Sequence, residues 1–187
     1  MILRRFALVA PLLLCLSACL SSGLPDLGGV PPFQLTAQDG KPFVSTPELS
    51  GKVWVADFIF TTCHGPCPRM TAQMKKIQDQ VKDLTDVELV SFTVDPATDT
   101  PEVLAEYANR FHADPDHWHF LTGTQAALQK LSYDTFRLGD TGAKLEHSTR
   151  FVLIDRKSRI RGYYDTTDPS AIQQVVDDIA KLRKEVL

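Results

Sequence analysis

The sequence predicts an α/β domain in which helices cover a mixed β-sheet. Segments with strand character alternate along the chain with segments of helical periodicity. The segment Lys52–Phe60, KVWVADFIF, is an almost continuous apolar run, as expected of a strand that is covered on both faces. The last two predicted strands, STRFVLID and RIRGYYD, follow each other with no helix between them. Strands joined so closely pair in antiparallel fashion, so the sheet as a whole should be mixed.

The first half of the domain is expected to contain a hairpin, two core strands and two helices. The hairpin falls in FQLTAQDGKPF, where Asp39-Gly40 is a turn signal. A second strand follows at Val87–Val94, and a helix then begins with Thr100 as its N-cap. Between the two strands, apolar residues at spacings of three and four predict an amphipathic helix with Pro68 in its first turn: Met70, Met74, Ile77, Val81 and Leu84.

The second half is expected to add three strands and two helices. WHFLTG is a short strand, TQAALQKLSYDTF is a helix, and the two closing strands follow. The final helix, in DPSAIQQVVDDIAKLRKEVL, should be capped by Asp168 or Ser170.

The beginning of the chain has the composition of a bacterial secretory signal. Arg4 and Arg5 precede an apolar run that is too short to span a bilayer comfortably, and LSAC, ending at Cys19, resembles a lipobox. Cleavage without a lipid, or an uncleaved anchor, is the alternative. Each case places the domain outside the cytoplasm, on the periplasmic side. We therefore expect three parts: a lipoprotein signal at residues 1–18, a lipidated Cys19 with a flexible Gly-, Pro- and Ser-rich tether at 19–32, and a folded domain at 33–187.

The cysteine count and the charge exclude two classes of protein. Cys15 leaves with the signal and Cys19 would carry the lipid, so Cys63 and Cys67 are the thiols that remain for chemistry. One pair is too few for a disulfide scaffold. The formal net charge of −3 becomes −5 when the two arginines of the signal are removed, so nucleic acid is not expected as a partner.

The stretch TTCHGPCPRM sets Cys63 and Cys67 four positions apart, between the first core strand and the following helix. The N-terminus of a helix favours thiolate over thiol. If both cysteines lay in one helical turn, they would share a face about 6 Å apart, close enough to clamp one soft metal ion or to form a disulfide. The three-residue gap departs from the two-residue gap of thioredoxin motifs. An inert disulfide remains a third use, although closing so short a loop stabilises little.

Two thiolates suit Cu(I), but a site that also holds Cu(II) or zinc needs a nitrogen ligand. The candidates are His64, His112, His117, His119 and His147.

Four separated stretches of the chain are FIFTTCHGPCPRM, SFTVDPATDTPEVLAEYANRF, HWHFLTG and HSTRFVLID. Together they resemble the Sco/SenC family of copper-binding proteins, in the family's order and over about residues 32–187. The resemblance implies a thioredoxin-like fold with three α/β/α layers, and a site in which Cys63, Cys67 and His147 hold one copper ion. It also implies a role in assembling the CuA centre of cytochrome c oxidase. The chain departs from the family at Ser158, where members often have glycine, which affects a turn rather than the site.

The expected partners follow from the resemblance. They are the copper-site subunit (subunit II) of a respiratory oxidase, another periplasmic copper chaperone or a thiol reductase, and the membrane through Cys19. An alternative function is a thiol-disulfide oxidoreductase that uses Cys63 and Cys67 as a redox-active pair to reduce the cysteines of the oxidase subunit. A peroxidase with Cys63 as nucleophile lacks a recognisable arginine and threonine environment.

The remaining polar and sulfur side chains near these motifs have structural interpretations. Met70 and Met74 have the periodicity of core residues. Asp95 and Asp99, in VDPATDT, are interpreted as turn and cap residues, with a partner surface as the alternative.

Overall fold

A computed structural model describes residues 23–138 and 148–185, which form one seven-stranded sheet with helices on both faces. The elements are β1 (Gln34–Ala37), β2 (Pro42–Val44), α1 (Ser45–Leu49), β3 (Val53–Ile59), α2 (Pro66–Val81), β4 (Val87–Thr93), α3 (Pro101–Arg110), β5 (Trp118–Thr122), α4 (Gln125–Gln129), a π-helical turn (Lys130–Thr135), β6 (Arg150–Ile154), β7 (Ile160–Asp165) and α5 (Ala171–Lys184). The strand order in the sheet is β2-β1-β5-β4-β3-β6-β7.

The centre of the sheet is parallel and its edges are antiparallel. Strands β3, β4 and β5 run parallel, whereas β6 lies antiparallel to β3 and β7 antiparallel to β6. The hairpin β1–β2 joins the other edge by pairing antiparallel with β5. Every residue of β3 and β4 is buried, as their apolar sequences predict. The expectation of a mixed sheet is therefore confirmed.

The two faces of the sheet carry separate cores, because side chains alternate along each strand. Helices α2, α3 and α5 cover one face, with Met70, Met74, Leu104 and Val175 among the fully buried side chains. Helices α1 and α4 cover the other face. This arrangement is the expected three-layer α/β/α architecture. Among the described residues, no helix has the length and hydropathy that crossing a membrane requires.

Most predicted helix ends are found where the capping signals lie. Thr100 caps α3, since its hydroxyl accepts a hydrogen bond from the backbone N–H of Val103. At the last helix, Ser170 is the N-cap residue but its side chain does not cap the helix; instead it donates to Asp168, which also accepts from the Ser170 N–H.

The second half of the predicted tether packs along the edge of the sheet, so the ordered chain begins before Phe33. The backbone of residues 27–30 hydrogen-bonds to residues 158–160 in antiparallel fashion. Residues 24–30, which we call the strap, are also held by side chains. Arg161, almost fully buried, donates to the carbonyls of Leu24 and Pro25 and pairs with Asp155 and Glu185. Composition alone predicted flexibility here because it does not reveal these long-range backbone bonds.

Candidate metal centre

The two cysteines lie at the carboxyl end of β3, on either side of the point where α2 begins. The backbone N–H of Cys63 donates to the carbonyl of Phe60, which closes a turn directly after the strand. Helix α2 starts at Pro66, so Cys67 lies in its first turn and Cys63 lies before it. The condition considered from the sequence, that both cysteines lie in one helical turn, is therefore not fulfilled. Pro66 accounts for the difference, because a residue that precedes proline is driven out of the helical conformation, and Gly65 is not helical.

Both thiols are nevertheless close to each other and shielded from water. Cys63 is 9% exposed and Cys67 is completely buried, and the two are not joined in a disulfide. The Cys67 thiol is within hydrogen-bonding reach of the Cys63 thiol and of the Phe60 backbone. The Gly65 N–H approaches the Cys63 sulfur at 3.4 Å. Two soft ligand atoms are thus presented together at the base of one loop.

Burial controls the protonation of Cys67. Removal from water raises the pKa of this thiol, the Phe60 backbone hydrogen bond opposes that shift, and the adjacent Cys63 sulfur adds to it. Desolvation of Cys67 thus works against the thiolate form that the N-terminus of a helix favours. Cys67 is a neutral thiol until a cation replaces its proton.

A buried carboxyl group lies under the cysteines on the same face of the sheet. Asp57 of β3 is completely buried, and its Oδ1 accepts from the Ser91 hydroxyl, which itself accepts from the Trp118 indole N–H. Its Oδ2 has no hydrogen-bond partner among the described residues. Burial raises the pKa of Asp57 to about 7, and its charge contributes to the raised pKa of Cys67.

A second buried carboxylate holds the start of the cysteine loop. Asp99 accepts from the N–H and the hydroxyl of Thr61, two residues before Cys63, and from the hydroxyl of Thr93 at the end of β4. The interpretation of Asp99 as a cap residue is wrong, since Thr100 provides the cap.

Neither Asp57 nor Asp99 was recognised in the sequence as part of this site. The signal for Asp57 was available, because it is the single acidic residue in the otherwise apolar run VWVADFI. A charge in a strand buried on both faces requires a special environment. Asp99 offered no comparable signal, because its partners are distant in the sequence.

The predicted nitrogen ligand, His147, lies outside the described residues, as does Cys19. Within residues 23–138 and 148–185, no three His, Cys, Asp or Glu side chains come together as a metal site. The described residues that follow His147 begin with Ser148 and Thr149. Thr149, just before β6, bonds through its carbonyl to Thr166, and Thr166 bonds to Gln73 of α2.

The pairing of β6 with β3 gives the direction in which the chain approaches β6. Ala56 pairs with Val152, and the strands are antiparallel, so moving back along β6 from Val152 corresponds to moving forward along β3 towards Cys63. Ser148 and Thr149 therefore lie at the end of the sheet that carries the cysteine loop.

The other histidines do not assemble a nitrogen-rich site in the described part of the chain. His64 is exposed in the cysteine loop, and His112 is exposed after α3. His119 contacts Glu88 at 3.3 Å and packs against Phe43, whereas His117 is half-buried.

Comparison with known proteins identifies the relatives of this chain. The family model described as SCO1/SenC matches residues 25–184. A SCO1/SenC family lipoprotein from Bacillus anthracis superposes with a TM-score of 0.77 and 39% identity, covering 85% of this chain and 98% of the other. BsSco, described as a member of the Sco family of cytochrome c oxidase assembly proteins with a disulfide switch, superposes with a TM-score of 0.73 and 31% identity, covering 85% and 96%.

A third relative has been determined with a metal ion. Bradyrhizobium japonicum ScoI, solved with copper bound, superposes with a TM-score of 0.67 and 25% identity, covering 83% of this chain and 99% of that one. These likenesses confirm the thioredoxin-like α/β fold expected from the sequence. The sheet, the cysteine loop at its carboxyl edge and the extent of the match lead to one conclusion: the chain belongs to the SCO1/SenC family.

Proposed function

We propose that this protein is a copper metallochaperone that binds one copper ion through Cys63, Cys67 and His147 and delivers it to a respiratory oxidase. The observation that carries the proposal is the pair of shielded thiols within reach of each other at the carboxyl end of β3. Thiolates are the ligands that Cu(I) prefers, and an imidazole would extend the site to Cu(II). Copper-bound relatives of the same fold support the choice of metal.

The surroundings of the thiols favour capture and release over permanent storage. Cys67 is a neutral thiol before loading, so copper binding must displace its proton, and proton return assists release. Cys63, the less buried of the two, is the sulfur that an incoming ligand reaches first. Transfer would proceed by exchange of one sulfur at a time for a ligand of the acceptor. Oxidation of the pair to a disulfide removes both sulfur ligands, so thiol redox state would control loading.

His147 is proposed as the third ligand because of the direction in which the chain enters β6. Ser148 and Thr149 lie at the same end of the sheet as Cys63, and His147 directly precedes them in the sequence. An imidazole at that position would complete a three-coordinate site with two sulfurs and one nitrogen.

The setting that we propose is the periplasmic side of a membrane, with Cys19 lipidated. The acceptor would be subunit II of a cytochrome c oxidase and its CuA centre, with another periplasmic copper chaperone or a thiol reductase as further partners. The description of BsSco as a member of a family of cytochrome c oxidase assembly proteins, and of the Bacillus anthracis relative as a lipoprotein, supports this setting.

A second function uses the same sulfurs as an electron donor rather than a metal site. The two thiols are close enough to interact directly, as a reductant of the acceptor's disulfide requires, and a disulfide switch is described for BsSco. In that reaction one thiolate attacks the target disulfide, the second cysteine releases the mixed disulfide, and the Cys63–Cys67 disulfide forms as the target is reduced. His147 has no part in this chemistry.

Copper titration of the reduced full chain in a non-ionic detergent separates the two functions. We expect the wild-type protein to take up one Cu(II), with a sulfur-to-copper absorption band and a single paramagnetic resonance signal. His147→Ala should lose this species, whereas His64→Ala, a matched change inside the cysteine loop, should keep it. Cys63→Ser should abolish the sulfur-to-copper band.

The opposite result would assign the site to thiol exchange. If the wild-type protein fails to bind copper tightly while its cysteine pair cycles readily against dithiols, with His147→Ala equally active, the metallochaperone proposal is wrong.

A further inference from the structure

The carboxylate of Asp99 is buried at the base of the cysteine loop, where no helix or sheet requires it. Asp99 lies between β4 and α3 and is completely inaccessible to solvent. The first turn of α3 is capped by Thr100, so Asp99 has no capping duty. A buried carboxylate is costly unless donors surround it, and such groups are retained where they hold a particular geometry.

All the side-chain hydrogen bonds described for Asp99 go to two threonines. The Thr61 N–H lies 3.3 Å from Oδ1 and 3.2 Å from Oδ2, and the Thr61 hydroxyl donates to Oδ1. The Thr93 hydroxyl donates to Oδ2, and its oxygen accepts in turn from the Asp95 N–H. The carboxylate therefore joins the end of β4 to the first residues of the cysteine loop through neutral donors.

These bonds hold the part of the loop that determines where the sulfurs lie. Thr61 lies inside the turn that the Cys63 N–H closes onto the Phe60 carbonyl. The Phe60 backbone also reaches the Cys67 thiol. Fixing Thr61 thus restrains the turn that carries the Cys63 sulfur. The same turn contains the Phe60 backbone that reaches the Cys67 thiol.

We propose that Asp99 is the positioning residue of the sulfur site, which it holds in place through Thr61 for metal capture. The expected effect on metal capture rests on the proposed assignment of copper to Cys63 and Cys67. The restraint of the cysteine loop by Asp99 does not. Groups that orient metal ligands from outside the coordination shell typically change metal affinity 10- to 100-fold when they are removed. The described side-chain hydrogen bonds of Asp99 go to Thr61 and Thr93, so its effect on the sulfurs passes through the loop backbone.

The decisive variant is Asp99→Asn in the full chain. It keeps the shape of the side chain but replaces one acceptor oxygen with a donor in a site where donors converge. We expect the copper dissociation constant to rise roughly 10- to 100-fold, and the sulfur-to-copper band to broaden as the loop samples several geometries. In the metal-free protein, alkylation of Cys63 should become several-fold faster, since this sulfur is nearly shielded in the wild type.

Three further variants give the result a clear meaning. Thr61→Val removes the loop hydroxyl alone. It should raise the copper dissociation constant and the Cys63 alkylation rate, each by less than Asp99→Asn does. Asp95 lies in the same connection between β4 and α3, and its described hydrogen bonds are made by its backbone. Asp95→Asn should therefore change neither the copper dissociation constant nor the alkylation rate. Ile160→Val weakens the core on the opposite face of the sheet and controls for general destabilisation, so it should leave the alkylation rate unchanged.

The outcomes separate the two proposals. Wild-type copper affinity and wild-type alkylation rates in both Asp99→Asn and Thr61→Val would overturn the positioning role. If Asp99→Asn does not fold, Thr61→Val decides the question by itself. If the wild-type protein binds no copper, the metallochaperone assignment fails, and the alkylation rates of the metal-free variants still accept or reject Asp99 as the positioning residue.

Discussion

Replacing Asp57 by Asn should make the protein less sensitive to pH. Asp57 is completely buried, and its Oδ2 has no hydrogen-bond partner in residues 23–138 and 148–185. Burial raises the pKa of Asp57 from 3.8 to about 7. In the unfolded chain the same carboxyl loses its proton near its ordinary pKa. At a pH between these two pKa values, folding is therefore accompanied by the uptake of a proton. The stability of the wild-type protein consequently declines as the pH rises through the folded-state pKa.

The size of the effect follows from the two pKa values. Each pH unit that lies between them costs about 1.4 kcal/mol of unfolding free energy. Between pH 5 and pH 8 the carboxyl of Asp57 accordingly removes about 3 kcal/mol. The side chain is fully buried, so solvent screening does not reduce this figure. The amide introduced by Asp57→Asn would remain neutral throughout and should accept the same hydrogen bond from Ser91.

Urea unfolding followed by tryptophan fluorescence at pH 5 and pH 8 would measure this difference. From pH 5 to pH 8, the difference in unfolding free energy between Asp57→Asn and the wild type should grow by about 3 kcal/mol in favour of the variant. This corresponds to a shift of roughly 1 M or more in the urea midpoint. Asp116→Asn, which changes an exposed acid, should show a gap that does not depend on pH. An equal gap at both pH values for Asp57→Asn would refute the argument from burial.

Two other changes test the edge of the sheet where the strap lies. Arg161→Ala should destabilise the protein by about 3 kcal/mol, because it leaves the carboxylates of Asp155 and Glu185 without their shared cation. Amide hydrogen exchange at Leu27 and Ile160 should then become faster than in the wild type, and unchanged exchange there would contradict the clamping role. Ser158→Gly should stabilise the protein by about 1 kcal/mol, because Ser158 has a φ of 57° in the β6–β7 turn, where glycine is unstrained. A lower urea midpoint for this variant would show that the serine side chain compensates for its backbone.

The order of elements was predictable because each core strand and each amphipathic helix carries its own local signal. The buried run of β3, the spacing of Met70 and Met74, and the N-cap Thr100 all indicate structure within a few residues. Ser158, which was expected to affect the geometry of a turn, also marked a real feature, since the turn there does adopt a left-handed backbone.

The interior of the site was not predictable, because it depends on competition between opposing effects. The helix N-terminus favours a thiolate at Cys67, but burial works against it, and only the fold shows that burial is complete. The bond from Asp99 to Thr61 joins residues 38 positions apart and gives no local pattern. The same is true of the strap, whose polar, glycine-rich sequence gives no hint of its backbone pairing with β7.

If Cys19 is lipidated as proposed, the strap would limit how far the sulfur site can travel from the membrane. Leu24 is held at the end of the sheet that carries the β6–β7 turn, opposite the cysteine loop. A lipid on Cys19 would leave five residue spans, at most about 17 Å, between the membrane and that end. Strand β3 adds about 20 Å between the two ends. With Cys19 lipidated as proposed, the sulfur site would reach no more than a few nanometres from the membrane, so delivery of copper would be confined to acceptors close above the same bilayer.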